Sequence, residues 1–165
     1  MKALTNILKN GEIKLIEVPP PQLHNGFILV KNHYSLISAG TESSTIKASK
    51  KGYIGKAKSR PDQFTKVIDN LKNQGPVATY RNVMKKLEAY SPMGYSSAGE
   101  IIDIGQGVNE FSVGDIVACS GVGYANHAEI VAVPKNLCIK LNRGSNLKNA
   151  SYNACLLYTS PSPRD

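Results

Sequence analysis

Tryptophan is absent from the 165 residues, and the three cysteines (Cys119, Cys138 and Cys155) share no Cys-x-x-Cys spacing. That pattern builds neither a disulfide framework nor a zinc knuckle, so a reducing, cytoplasmic setting is expected. Long apolar runs are missing too. A stretch such as Phe27-Ile28-Leu29-Val30 falls far short of the roughly 20 apolar residues that span a bilayer. The opening Met1-Lys2-Ala3-Leu4-Thr5-Asn6 lacks the apolar core of a signal peptide. Secretion and membrane insertion are therefore not expected. With 41% hydrophobic and 19% charged residues, the chain still has enough apolar side chain for one domain with a core.

Acidic residues are scarce in one region. The formal net charge is +8, and the segment Ser43–Glu88 carries all of it, with 11 Lys/Arg against Asp62, Asp69 and Glu88. A neutral body thus bears one basic segment. Such a segment suits an anionic partner or an ordinary solvated face. Aromatics there are few (Tyr53, Phe64, Tyr80) and no recognition motif accompanies the bases, so nucleic acid is not an expected partner.

The first 35 residues read as strands. Ala3–Leu8 and Glu12–Val18 flank Lys9-Asn10-Gly11, whose Asn-Gly favours a tight hairpin turn. Pro19-Pro20-Pro21 breaks the sheet, because proline supplies no ladder N–H. Phe27–Tyr34 is the next strand, and Ser35–Ser44, rich in small and hydroxyl residues, reads as a loop. Periodicity then changes. Phe64, Val67, Ile68 and Leu71 make a helical stripe that starts near Pro61 and stops at Gly75-Pro76. A second stripe of Val77, Tyr80, Met84 and Leu87 ends before Pro92. Both stripes read as packing surfaces.

From Ser97 short strands return, at Ala98–Ile104, Asp115–Ser120, Ala128–Val133 and Leu137–Lys140, punctuated by glycines. Gly99 inside a strand signals a bulge or a close backbone approach. Gly114-Asp115 suits a turn in which Asp115 bonds local amides. Gly105-Gln106-Gly107 is not a dinucleotide fingerprint, since the third glycine would fall on Glu110 and strands follow. Many short strands with one helical excursion indicate a mainly β barrel with a helical insertion, α+β overall.

Three signatures stand in order: Ile37-Ser38-Ala39-Gly40-Thr41-Glu42; Gly94-Tyr95-Ser96-Ser97-Ala98-Gly99-Glu100 running to Gly105; and Gly107-Val108 through Gly114-Asp115-Ile116-Val117, followed by Ala128-Glu129-Ile130-Val131-Ala132-Val133-Pro134. Together they resemble the GroES-like, partly open β-barrel of medium-chain dehydrogenase/reductases, the alcohol dehydrogenase superfamily, over residues 1–154. The insertion covers about 43–90. Ser38–Glu42, the insertion and Val133-Pro134-Lys135-Asn136-Leu137-Cys138 look like the bi-domain oxidoreductases, whose second half is glucose-fructose-oxidoreductase-like.

The resemblance implies a hydride exchange between NAD or NADP and an alcohol or carbonyl, possibly sugar-related, small-molecule substrate. Where zinc-dependent members carry cysteine, histidine and glutamate, this chain has Ala39, Tyr95 and Ser96. Alanine has no donor, and phenol or hydroxyl are poor zinc ligands, so no metal is expected. The resemblance then assigns Thr41 and Tyr95 to catalysis, Glu42 to their support, and Gly40 and Ser96 to the cofactor's edge. The bland alternatives are a capping Thr41 and a rim aromatic at Tyr95. The rival functions are a non-catalytic GroES-like binding barrel and a basic module for anionic polymers, marked by strongly salt-dependent binding.

The final stretch Cys155–Asp165 breaks the preceding helical pattern and ends in Pro161-Ser162-Pro163-Arg164-Asp165. It resembles the translation of a sequencing adapter. The expectation is that residues 155–165 are a non-native tail and that the intact protein continues from Ala154 into a Rossmann domain holding most of the cofactor site. The fragment alone is then expected to be inactive. Independent reads of the gene should depart from the present codons after Ala154 and run into that domain; the same codons in every read, continuing as open coding sequence, would contradict this.

Overall fold

The computed structural model describes residues 1–50 and 61–159. The lysine-rich stretch 51–60 and the tail from 160 onward lie outside the described residues. Two compact units emerge. The first comprises Met1–Leu4, Leu15–Ser38 and Pro92–Asp165, and the second Thr5–Lys14 and Ala39–Ser91.

The strands β1 (Lys2–Ile7), β2 (Glu12–Glu17) and β4 (Tyr90–Pro92) form a sheet in the order β2-β1-β4. The Asn-Gly turn between β1 and β2 is present, with Gly11 at φ 72° and its N–H bonded to the Ile7 carbonyl at 2.8 Å. The larger sheet orders as β7-β3-β5-β6-β8, from β3 (Phe27–Ser35), β5 (Ser96–Ile104), β6 (Ile116–Ser120), β7 (Ile130–Pro134) and β8 (Cys138–Lys140). Every described pairing in it is antiparallel. Alternation sends one face of each strand inward. Ile28, Val30, Ile101, Val117 and Val133 are each 0% exposed and form the core with Phe111, Val108 and Val131. Each such side chain contributes on the order of 1.5–3 kcal/mol by leaving water.

Gly99 shows why this strand carries a glycine. A Cβ there would collide with the backbone carbonyl of Lys31 on β3. The β3–β5 register shifts beside it, between Asn32 and Tyr34, so both a bulge and a close approach are present. At the Gly114-Asp115 turn, Gly114 sits at φ 88° and the Asp115 carboxylate accepts the Ser112 N–H at 2.8 Å. Lys140, 2.6 Å away, and that amide hold the Asp115 carboxyl below its ordinary range.

Ile104 is followed by a turn and not a helix, as expected for Gly105-Gln106-Gly107. Gly105 is fixed sterically, because a Cβ would meet the His24 carbonyl.

The second unit departs from the sequence reading in two places. Residues 39–44 are not loop: α1 (Ala39–Lys50) begins at Ala39. Its serines and threonines make no apolar stripe, so periodicity offers no sign of it. The next helix, α2 (Pro61–Glu88), starts at Pro61 and is broken at Gly75 (φ 78°, ψ 169°) before Pro76. This is the expected stop, with Thr79 donating to the Gly75 carbonyl at 2.8 Å. Of the described stripe residues, Val67 and Met84 are half-buried, but three are open to solvent. Leu71 is exposed, and Val77 and Tyr80 are each 67% exposed. Among the described residues no helix is long and apolar enough to cross a membrane.

Gly99→Ala should lower stability by about 1–3 kcal/mol in urea unfolding, because backbone must move to admit the methyl. Gly40→Ala, with open space around it, should keep the wild-type midpoint or gain up to about 1 kcal/mol. An unaffected Gly99→Ala would show that β3 and β5 do not approach this closely.

Candidate functional site

Gly40, Thr41 and Glu42 share the first turn of α1 in the second unit. Thr41 is exposed, and its carbonyl accepts the Ser44 hydroxyl at 2.8 Å. Thr41 is thus inside the helix and does not cap one that begins at Ser43. Glu42 is 7% exposed, and its charge lies at the helix N-terminus, where the backbone dipole favours an anion. Nothing would contact a Cβ at Gly40 within 4 Å.

Tyr95 and Ser96 lie in the first unit, where β5 begins. Tyr95 is half-buried, and its carbonyl accepts the Gly121 N–H at 2.9 Å. Ser96 is 1% exposed and donates its hydroxyl to the Ser151 carbonyl at 2.6 Å. Ser151 closes the short helix α3 (Leu147–Ala150), ahead of α4 (Asn153–Thr159). The Ser96 hydroxyl proton is therefore committed to the end of α3. Its alternate neighbours Ser97 and Gly99 belong to the opposite face of β5.

Against Gly94 the structure assembles a pair that sequence spacing does not reveal. His127 is buried, and its Nδ1 lies 2.9 Å from the Ser35 hydroxyl at the end of β3. The His127 N–H donates to the Met93 carbonyl at 2.8 Å. Gly94 is at φ 97°, and a Cβ on it would come within 2.8–3.0 Å of His127. The first glycine of the second signature is thus held to glycine by its positive φ and by the His127 backbone nitrogen and ring. Ser35 and His127 stand 92 residues apart, so only the folded sheet brings them together.

No protein-family model and no curated protein matches the chain, but solved structures do. A quinone oxidoreductase from Coxiella burnetii superposes with TM-score 0.59 at 22% identity over 92% of this chain. Galactitol-1-phosphate dehydrogenase from Escherichia coli gives 0.60 at 16% identity, also over 92%. Escherichia coli quinone oxidoreductase complexed with NADPH gives 0.56 at 15% identity over 92%. The fold is the GroES-like half-barrel of these enzymes. The chain spans only 40%, 41% and 36% of the length of these three structures.

In this half-barrel the zinc-ligand positions read by resemblance are poor donors. Ala39 has none, Tyr95 offers a phenol, and the Ser96 hydroxyl is spent on Ser151. Among the described residues no three His, Cys, Asp or Glu side chains gather as a metal site. The residues do not fit a catalytic zinc at these positions.

Ser96→Ala should cost about 1–3 kcal/mol in urea unfolding, because the buried Ser151 carbonyl loses its donor. Wild-type stability in that variant would show that Ser96 does not anchor the end of α3.

Proposed function

We propose that the intact protein is an NAD(P)-dependent, zinc-independent oxidoreductase, and that residues 1–154 form its substrate-binding half. The observation that carries this reading is the half-barrel shared with an NADPH-complexed quinone oxidoreductase over 92% of the chain. A fold alone does not fix an activity, so the reading also rests on the side chains. Thr41 lies on an exposed helical turn, and Tyr95 is half-buried just before β5, next in sequence to the Gly94 that packs against His127.

The substrate is an alcohol or carbonyl, with a sugar-related compound the favoured class. The bound nicotinamide supplies or accepts the hydride. This chain's residues supply orientation and the proton. Tyr95 is assigned to bond the reacting oxygen and donate its phenolic proton in the reductive direction, and Thr41 is a second hydroxyl candidate, carried by α1. Glu42 holds the first turn of α1 in place. Gly40, with no neighbour where its Cβ would be, leaves room for the cofactor's edge. Ser96 lies at the cofactor's edge by resemblance, and its hydroxyl holds the Ser151 carbonyl at the end of α3. The greater part of the cofactor site belongs to a domain beyond Ala154.

In the intact protein Tyr95→Phe should lower turnover about 100-fold, the usual scale for losing a positioned acid, with cofactor affinity retained. The check is NADPH oxidation with a panel of quinones, aldehydes and keto-sugars, beside NADPH titration by fluorescence. Unchanged turnover would remove Tyr95 from the reaction, and no turnover by the wild-type protein with any carbonyl would remove the reading itself.

A further inference from the structure

Two of the three cysteines meet in the folded sheet, 19 residues apart in sequence. Strands β6 and β8 run antiparallel, with Val117 opposite Lys140, Ala118 opposite Ile139 and Cys119 opposite Cys138. Residues directly opposite project from the same face, so the two thiols stand side by side. Their sulfurs are 3.7 Å apart, and both are free thiols. Cys119 is 0% exposed within the core, whereas Cys138 is half-buried and its Sγ lies 3.5 Å from the Pro134 carbonyl.

Directly opposed residues in an antiparallel pair have Cα atoms about 4.5–5.5 Å apart. A disulfide accepts about 4.4–6.8 Å, with sulfurs about 2.05 Å apart. Side-chain rotation can therefore close the remaining gap without moving either strand.

We propose that Cys119 and Cys138 form a dithiol oxidation site that closes to a cross-strand disulfide by exchange with a low-molecular-weight disulfide. The thiolate of Cys138, the less buried member, attacks one sulfur of the small disulfide. A mixed disulfide forms and one small thiolate leaves. Cys119 then gives up its proton and attacks the Cys138 sulfur, expelling the second small thiolate. The two protein thiols lose two electrons and two protons, and the small disulfide becomes two thiols. The hydrogen bond with Cys138 and burial hold the Cys119 thiol above its ordinary range, so Cys119 is not the thiol that attacks first. The product ties β8, a three-residue strand at the end of the sheet order, covalently to β6.

The test uses the full chain carrying Cys155→Ser, which removes the third thiol, with oxidised glutathione as the probe. Circular dichroism verifies that the chain stays folded. The expected product is a monomer lighter by about 2 Da, the two hydrogens lost, with no glutathione retained and one peptide pair linked through Cys119 and Cys138. Adding Cys119→Ser should trap one glutathione on Cys138. As an independent measurement, phenylarsine oxide, which bridges neighbouring thiols, should be retained once per chain and lost from the Cys119→Ser variant. Two free thiols after treatment, glutathione retained on Cys138 while Cys119 is present, or disulfide-linked dimers would each overturn the proposal. None of these readouts depends on the enzymatic reading, so either can fail without the other.

Discussion

The pairing of β3 with β5 is the constraint on which the larger sheet depends. At Gly99 the two backbones come so close that no side chain fits, and the register slips on either side of that point. The slip keeps Val30 opposite Ile101 while Ser35 falls opposite Ser97. Strand β3 in turn carries β7, and β5 carries β6 and then β8, so the inward rows of all five strands are set from this one contact. The buried aliphatic side chains supply the favourable free energy, but the missing Cβ decides where they meet.

The same pairing places the candidate chemistry of the first unit. Ser35 ends β3 and bonds His127. Gly94 then admits the imidazole, Tyr95 follows it, and Ser96 enters β5 with its hydroxyl turned to the C-terminal helices. Alternation along β5 therefore separates two tasks. Ser96 fastens the end of α3 on one face, and Ser97 and Gly99 belong to the row that faces the core. Tyr95 immediately precedes β5, and backbone hydrogen bonds at Met93 and Tyr95 fix the main chain there.

Most strands and turns were legible in the residue order because their signals are local. Asn10-Gly11, Gly99, Gly114-Asp115 and the Gly75-Pro76 break each express a rule that acts within a few residues. The start of α1 was not legible: Ala39 to Ser44 has no apolar period, and its serines and threonines also suit a loop. The periodicity of α2 was real, but period alone does not say what covers a face, and Val77 and Tyr80 are exposed. His127 with Ser35, and Cys119 with Cys138, were invisible for a different reason. They depend on register between strands, which no spacing along the chain encodes. The five site residues rest on resemblance, and the structure adds their surroundings: an exposed turn for Thr41, a buried carboxylate for Glu42, and a committed hydroxyl for Ser96.

In the function proposed above, this half-barrel is the wall against which a nicotinamide exchanges hydride with a carbonyl carbon. The most direct measurement follows that hydrogen in the intact protein, using NAD(P)H deuterated at C4 of the nicotinamide and mass spectrometry of the product. Deuterium is expected on the carbon of the new alcohol. Product that forms without label from either face of the ring, or without the cofactor, would contradict that function.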